Sequence, residues 1–245
     1  MATYKEIRGT QIEAVATDPS NPVEGQVWYN TTSNALKGQA VTGAGAWSTA
    51  NALNTGRYAG GGAGITTAAL YASGTSPSGD APQTESYNVT NWTEVNDVNN
   101  DRNGLENQSV GTQSAAMIFA GYDDAGNGVS DTEQWNGTNW TEVNDVNQKR
   151  WGLAAGGTDN TNALIFGGAV PLPLPAQQGP YSGTEEWNGT SWTYNSIMNT
   201  GRMQLSGSGA SKTNCLAIGG YTTTIVGTTE EWSGSGTSDV TFTDS

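Results

Sequence analysis

Four glutamates and four arginines recur at fixed phase, and they are the charged groups best spaced to act together. Glu85, Glu133, Glu185 and Glu230 each follow a Thr and stand two residues ahead of an aromatic, respectively Tyr87, Trp135, Trp187 and Trp232. Arg57, Arg102, Arg150 and Arg202 mark the other end of each unit. Paired carboxylates can hydrolyse glycosides, one as acid and one as base or nucleophile. A set copied in every unit reads differently, because an active site breaks the symmetry of a repeat while a structural role preserves it. The sequence therefore predicts that these Glu and Arg residues pair or hydrogen-bond from unit to unit and hold the array together.

Other chemistry is narrowed by composition. The chain has no histidine and one cysteine, which removes imidazole bases, Ser-His-Asp and Cys-His nucleophiles, internal disulfides and ordinary zinc or copper sites. Cys215 lies in the apolar run Asn214-Cys215-Leu216-Ala217-Ile218 and reads as a buried, inert thiol. Asp123-Asp124-Ala125-Gly126-Asn127-Gly128 loosely suggests a calcium loop, but Ala125 and Gln134 stand where ligand carboxylates would be needed, so a solvated loop is expected. No catalytic, metal or cofactor residue is assigned. Tyr122, Trp151, Tyr181 and Tyr221, at strand or loop ends, are the candidate ligand contacts, since exposed rings stack on sugars. Asn136 and Asn188 open Asn-Gly-Thr sequons, which serve equally as tight turns.

The elements that position these residues come from a repeat. Thr132-Glu133-Gln134-Trp135-Asn136-Gly137-Thr138-Asn139-Trp140-Thr141 returns as Thr184-Glu185-Glu186-Trp187-Asn188-Gly189-Thr190-Ser191-Trp192-Thr193, with an earlier copy at 84–93 and a shortened one from Thr229. The arginines are spaced 45, 48 and 52 residues apart, and the aromatics 48, 52 and 45. Each unit of about 50 residues reads as four short strands: a Gly-rich run, an apolar run ending at small residues, the Thr-Glu-x-aromatic strand, and a Trp-Thr strand. That is the content of one antiparallel propeller blade. Variable segments, the proline-rich 169–180 and the acidic 123–131 among them, fall between the second and third strands.

With 9 basic against 23 acidic side chains the formal charge is −14, which opposes nucleic acid and anionic lipid. The sequence shows no apolar stretch of membrane-spanning length and no signal-peptide core, so neither membrane insertion nor export by a leader is expected. Residues 1–50 differ from the rest. Thr17-Asp18-Pro19-Ser20-Asn21-Pro22 is a turn-rich lead into Gly25-Gln26-Val27-Trp28-Tyr29-Asn30, a turn, and Ala35-Leu36-Lys37-Gly38, a small hairpin too slight to stand alone. Two domains are expected, 1–50 and 51–245.

The repeated Arg, the paired glycines after the apolar strand and the two aromatics flanking the last hairpin resemble the kelch repeat over residues 54–245. The resemblance implies an all-β, kelch-like β-propeller of four or five blades behind a short N-terminal β-hairpin arm. Four units are fewer than such rings usually hold. Either Trp47-Ser48-Thr49 completes the last blade of the same chain, the favoured reading, or residues 24–50 form a degenerate fifth blade with Trp28 in the third-strand role, or another chain completes the ring. Kelch propellers can be copper oxidases of the galactose-oxidase type, but the histidines are missing. Residues 4–9 and 18–32 resemble the N-terminal segment of virion structural proteins from marine tailed bacteriophages. That implies a virion component, not an enzyme, docked on other virion proteins through residues 1–50, present in symmetric multiple copies and displaying the propeller for decoration or host-surface contact. A carbohydrate-binding adhesion module, contacting host glycans, is the alternative; a glycan-cleaving enzyme is disfavoured.

Overall fold

A computed structural model describes residues 12–23, 25–39, 47–172 and 177–234. Within them every regular element is a strand and no helix occurs, so the chain is all-β. Chain contacts divide it into Met1–Thr49 and Ala50–Ser245.

The first unit is a three-stranded sheet of β1 (Glu13–Val15), β2 (Val27–Asn30) and β3 (Ala35–Gly38). β2 and β3 form the predicted hairpin, with Val27 opposite Gly38, while β1 runs parallel to β2. Its polar hub is Asp18, whose carboxylate accepts hydrogen bonds from Trp28 Nε1 at 2.9 Å, Asn30 Nδ2 at 2.7 Å and Lys37 Nζ at 2.6 Å. Asn30 Oδ1 in turn accepts from the Thr32 and Ser33 amides and shapes the turn. The alternative of a degenerate fifth repeat over residues 24–50 is not seen among the described residues: they hold only the β2–β3 hairpin, whose outer partner β1 joins in parallel, and Trp28 is spent on Asp18.

The bond from the Lys37 ammonium, followed by those from Trp28 and Asn30, holds the Asp18 carboxyl down at about 2. A carboxyl depressed in the folded state supports the fold above its ordinary value and loses that support as pH falls through the folded value. The Trp28 indole N–H resonance should therefore stay constant from neutral pH through 3.8 and move with a midpoint at about 2. An NMR titration with a midpoint near 3.8 would show that the hub is not formed.

The second unit repeats one sheet. Sheet I contains β4 (Gly61–Ile65), β5 (Ala68–Ala72), β8 (Thr84–Tyr87) and β9 (Trp92–Val95), with a two-stranded insert β6 (Thr75–Ser76) and β7 (Gly79–Asp80). Sheet II is β10 (Ser109–Thr112), β11 (Ala115–Phe119), β12 (Thr132–Trp135) and β13 (Trp140–Glu142). Sheet III is β14 (Ala154–Asp159), β15 (Asn162–Phe166), β18 (Thr184–Trp187) and β19 (Trp192–Asn195), with the insert β16 (Ala169–Leu172) and β17 (Gln177–Pro180). Sheet IV has only β20 (Ser206–Ser211), β21 (Asn214–Ile218) and β22 (Thr229–Ser233) among the described residues. Each sheet is an antiparallel meander in the predicted strand order. The inserts all lie between second and third strands; residues 173–176 of the proline-rich one are outside the described set.

First strands pack side by side, β4 on β10, β10 on β14 and β14 on β20. Glycine makes the approach possible: a Cβ on Gly207 would collide with the Ala155 backbone, and one on Gly156 with Cys215 Sγ. No comparable packing joins β4 to β20, so the expected closure within one chain is not seen among the described residues. Between successive sheets lie the cores. Leu70, Ala72 and Val98 meet Ile118, Trp135 and Trp140; Met117, Phe119 and Val146 meet Ile165, Trp187 and Trp192; Leu164, Phe166 and Met198 meet Cys215 and Ala217, with half-buried Trp232 at the edge.

The hairpin between third and fourth strands is closed by an Asn side chain. Oδ1 of Asn88, Asn136 and Asn188 accepts two amides from the turn in each sheet. The next residue must adopt positive φ: Gly137 at 91°, Gly189 at 94°, and in sheet I Val89 at 79°. A β-branched residue is strained there, and exposed Val89 gains little packing in return. Val89→Gly should raise stability by about 1 kcal/mol after the entropy glycine loses on folding, read from denaturant midpoints; a lower midpoint would show that the strain is absent.

Candidate functional site

The repeated charges are the best-formed polar constellation. Each Arg sits on the connector entering a sheet, and each Glu on that sheet's third strand. The pairs are Arg57–Glu85 at 2.5 Å, Arg102–Glu133 at 2.7 Å, Arg150–Glu185 at 2.9 Å and Arg202–Glu230 at 2.9 Å. The predicted pairing is therefore present, but inside each unit rather than from unit to unit, because the connector folds back over the sheet it is about to enter. Unit-to-unit tying comes from the same carboxylates by another route. Their second oxygen accepts the backbone amide of Asn54, Asn99, Asn147 or Asn199, the residue three before each Arg, at 2.6–2.8 Å. Asn99, Asn147 and Asn199 end the chain segment arriving from the preceding fourth strand; Asn147 Nδ2 also donates to Trp192 O of the next sheet at 2.9 Å.

Most of these groups are buried. Glu85, Glu133, Glu185 and all but the first of the arginines are fully buried as residues. Burial pushes the Arg150 guanidinium below its ordinary value, against the pull of Glu185. For Glu85 burial pushes up, but the hydrogen bonds from the Asn54 amide and Arg57 outweigh it and the carboxyl ends below its ordinary value. A depressed carboxyl contributes stability above its unfolded value and loses it in acid. Buried against their arginines, these carboxylates brace the sheets they stand on.

The candidate aromatics are mostly occupied. Trp151 is buried and stacks on Tyr122 with centroids 5.3 Å apart. Each ring rests on a glycine, Gly104 under Tyr122 and Gly128 under Trp151, where no Cβ could fit. Burial raises the Tyr122 phenol. The Tyr181 ring covers the Arg150 guanidinium at 5.2 Å and packs on Gly183. Tyr221 bridges Met203 and Ile225 through its backbone. Tyr122 and Trp151 are thus brought together, while Tyr181 and Tyr221 do separate structural work. The ring the sequence reading missed is Tyr58, 69% exposed. With Asn103, Glu106, Tyr122 and Gln204 it lines a cavity of about 370 Å³ to which all four units contribute. Its signal was its place directly after Arg57, the phase of Trp151.

The acidic loop satisfies itself: Asp123 accepts from the Asn127 amide at 2.7 Å and is held below its ordinary value chiefly by that bond. Asp124 accepts from the Asp80 amide of the neighbouring insert. The Cys215 thiol is buried and pushed up to about 11 by desolvation. Among the described residues no group of three metal-binding side chains converges.

No family model and no curated protein matches the sequence. The fold is similar to that of the solved structure of YjhT, with a TM-score of 0.61 at 13% identity over 83% of this chain and 70% of that one. The likeness is one of fold.

Breaking a buried pair strands a charge, at about 3–5 kcal/mol. Arg150→Met should cost that much in chemical denaturation. Adding Glu185→Leu should recover only part of it, since the Asn147 amide and side chain, both bonded to Glu185, are then left unpaired. A single variant with wild-type stability would show that the pair does not brace the sheet.

Proposed function

We propose that the chain is a bacteriophage virion structural protein, with residues 54–245 a kelch-like β-propeller array and the N-terminal unit its attachment to other virion proteins. The observation that carries this reading is where the polar groups are spent. The chain's repeated ionic chemistry is buried as bracing, copied sheet after sheet, as befits a scaffold that presents surface. The meander of four strands, the glycine pair at positive φ after the apolar strand, as in Gly167 and Gly168, and the inward packing of first strands support the propeller class. A separate small sheet with its own polar hub supports an attachment module. The acidic surface is compatible with display in salt water, where repulsion is screened.

A second reading, an adhesion module, is favoured by the cavity beneath Tyr58, because an exposed ring beside Asn and Glu side chains is suited to a sugar. It moves the expected contacts from Trp151 and Tyr181 to Tyr58 and Tyr122.

Mass spectrometry and labelled imaging of purified phage particles should find the chain in every particle. A chain lacking residues 1–49 should keep its β-sheet spectrum yet fail to incorporate. Absence of the intact chain from particles would refute the structural role. Loss of host adsorption in Tyr58→Ala with normal incorporation would favour adhesion.

A further inference from the structure

Among the described residues sheet IV is incomplete in a specific way. In sheets I–III the third-strand aromatic packs on a fourth-strand Trp, with centroids 5.1 Å apart for Tyr87–Trp92, 5.4 Å for Trp135–Trp140 and 5.3 Å for Trp187–Trp192. The fourth-strand indole also reaches back to the preceding sheet: Trp140 Nε1 donates to Thr84 Oγ1 at 2.9 Å, and Trp192 Nε1 to Thr132 Oγ1 at 3.1 Å. At the third interface these partners are Trp232 and Thr184, and between them lies a cavity of about 90 Å³ walled by Phe166, Met198, Cys215 and Ala217. It lies where the fourth-strand indole sits at the other two interfaces. Beside it, Glu230 remains 18% exposed while Glu133 and Glu185 are at 0%. Trp232 is half-buried where Trp135 and Trp187 are sealed.

The sequence holds one fourth-strand Trp without a sheet. Trp92, Trp140 and Trp192 each stand ten residues before an Arg and seven before the Asn that docks on Glu. Trp47 has the same spacing to Arg57 and Asn54, and it is fully exposed. The segment that follows behaves as the tail of a fourth strand. Asn51 Nδ2 donates to Asn91 Oδ1 at 2.7 Å, as Asn96 Nδ2 does to Asn139 Oδ1, and Asn54 binds Glu85 as Asn99 binds Glu133. Residues 235–245 contain no Trp.

We infer that Trp47–Ala50 of a second copy of the chain adds as the fourth strand of sheet IV, its indole filling the cavity between Thr184 and Trp232. The occupant is a second copy because the first strands of sheets I and IV do not pack on each other as successive sheets do. Sheet I of that copy would follow sheet IV and cover Ile218, 40% exposed, whose equivalents Phe119 and Phe166 are covered by the next sheet. The contact is head-to-tail, and it closes when the rotation per copy allows; two copies give eight sheets, the upper end of the propeller range. The inference does not depend on the virion reading.

The register of the complete sheets, Gln134 opposite Thr141 and Glu186 opposite Thr193, places Ser48 opposite Glu231. Full-length Ser48→Cys and Glu231→Cys chains, mixed and oxidised with diamide, should form a covalent hetero-dimer on a gel; buried Cys215 should not compete. Light scattering should give at least twice the 25.4 kDa chain mass, falling to the single-chain mass in Trp47→Ala with the β-sheet spectrum retained. A double-cysteine chain that instead closes on itself and runs as a monomer would overturn the inference in favour of closure within one chain. Absence of any cross-link would overturn it by excluding this strand from the slot.

Discussion

The buried arginine–glutamate pair is what the repeat is built around. Glu133 has two oxygens and uses both, one accepting from the Arg102 guanidinium and one from the amide of Asn99, which arrives from the sheet before; Glu85 and Glu230 divide theirs between an arginine and an asparagine amide likewise. The pair therefore fixes two things at once: where the chain enters a sheet, and how that sheet stands to its predecessor. Ion pairs in the interior are poor sources of net stability because desolvation consumes the Coulombic gain. Their value here is positional, since strands of four or five residues with glycine-rich sequences have weak register of their own. A charge that must be met at one place supplies what the short strands do not.

Around that brace the apolar contacts are shared between sheets. The Trp of a fourth strand lies on the third-strand aromatic of its own sheet and donates to a Thr of the sheet before, so no sheet buries its own core alone. Stability in such an array is a sum of units and interfaces. The interface is the costly element to leave unfinished, and the cavity between Trp232 and Thr184 is such a place.

The all-β class, the strand order, the period and the positions of the inserts were legible because pattern and spacing carry them directly: Thr-Glu-x-aromatic can only alternate as a strand, and the arginines count the units. Pairing of Arg with Glu was legible as well, since both repeat. Its direction was not. Sequence spacing cannot say whether the connector lies over the sheet it leaves or the one it enters, and here it lies over the latter. The exposed ring was misassigned for a related reason. Trp151 and Tyr58 share one phase, yet Trp151 meets Tyr122 and Gly128 while Tyr58 stays in solvent; neighbours contributed by other units decide exposure, and no local window contains them. The parallel β1 strand, set by a carboxylate ten or more residues from its partners Trp28 and Asn30, escaped notice for the same cause.

Departures from the repeat are then the informative positions. Val89 departs where glycine belongs and costs backbone strain. Tyr58 departs where Trp151, at the same phase, is covered, and leaves a ring beside a cavity. Among the described residues Trp47 departs by having the spacing of a fourth strand without a three-stranded antiparallel meander before it, while sheet IV has such a meander without the fourth strand. The last two defects are complementary in register, in the indole one exposes and the slot the other holds open. An unpaired edge on β22 and an uncovered Trp are each a liability for a monomer. Together they are the two halves of one interface, and the same bracing that makes each sheet a fixed distance from the next is what would let a second chain meet them both.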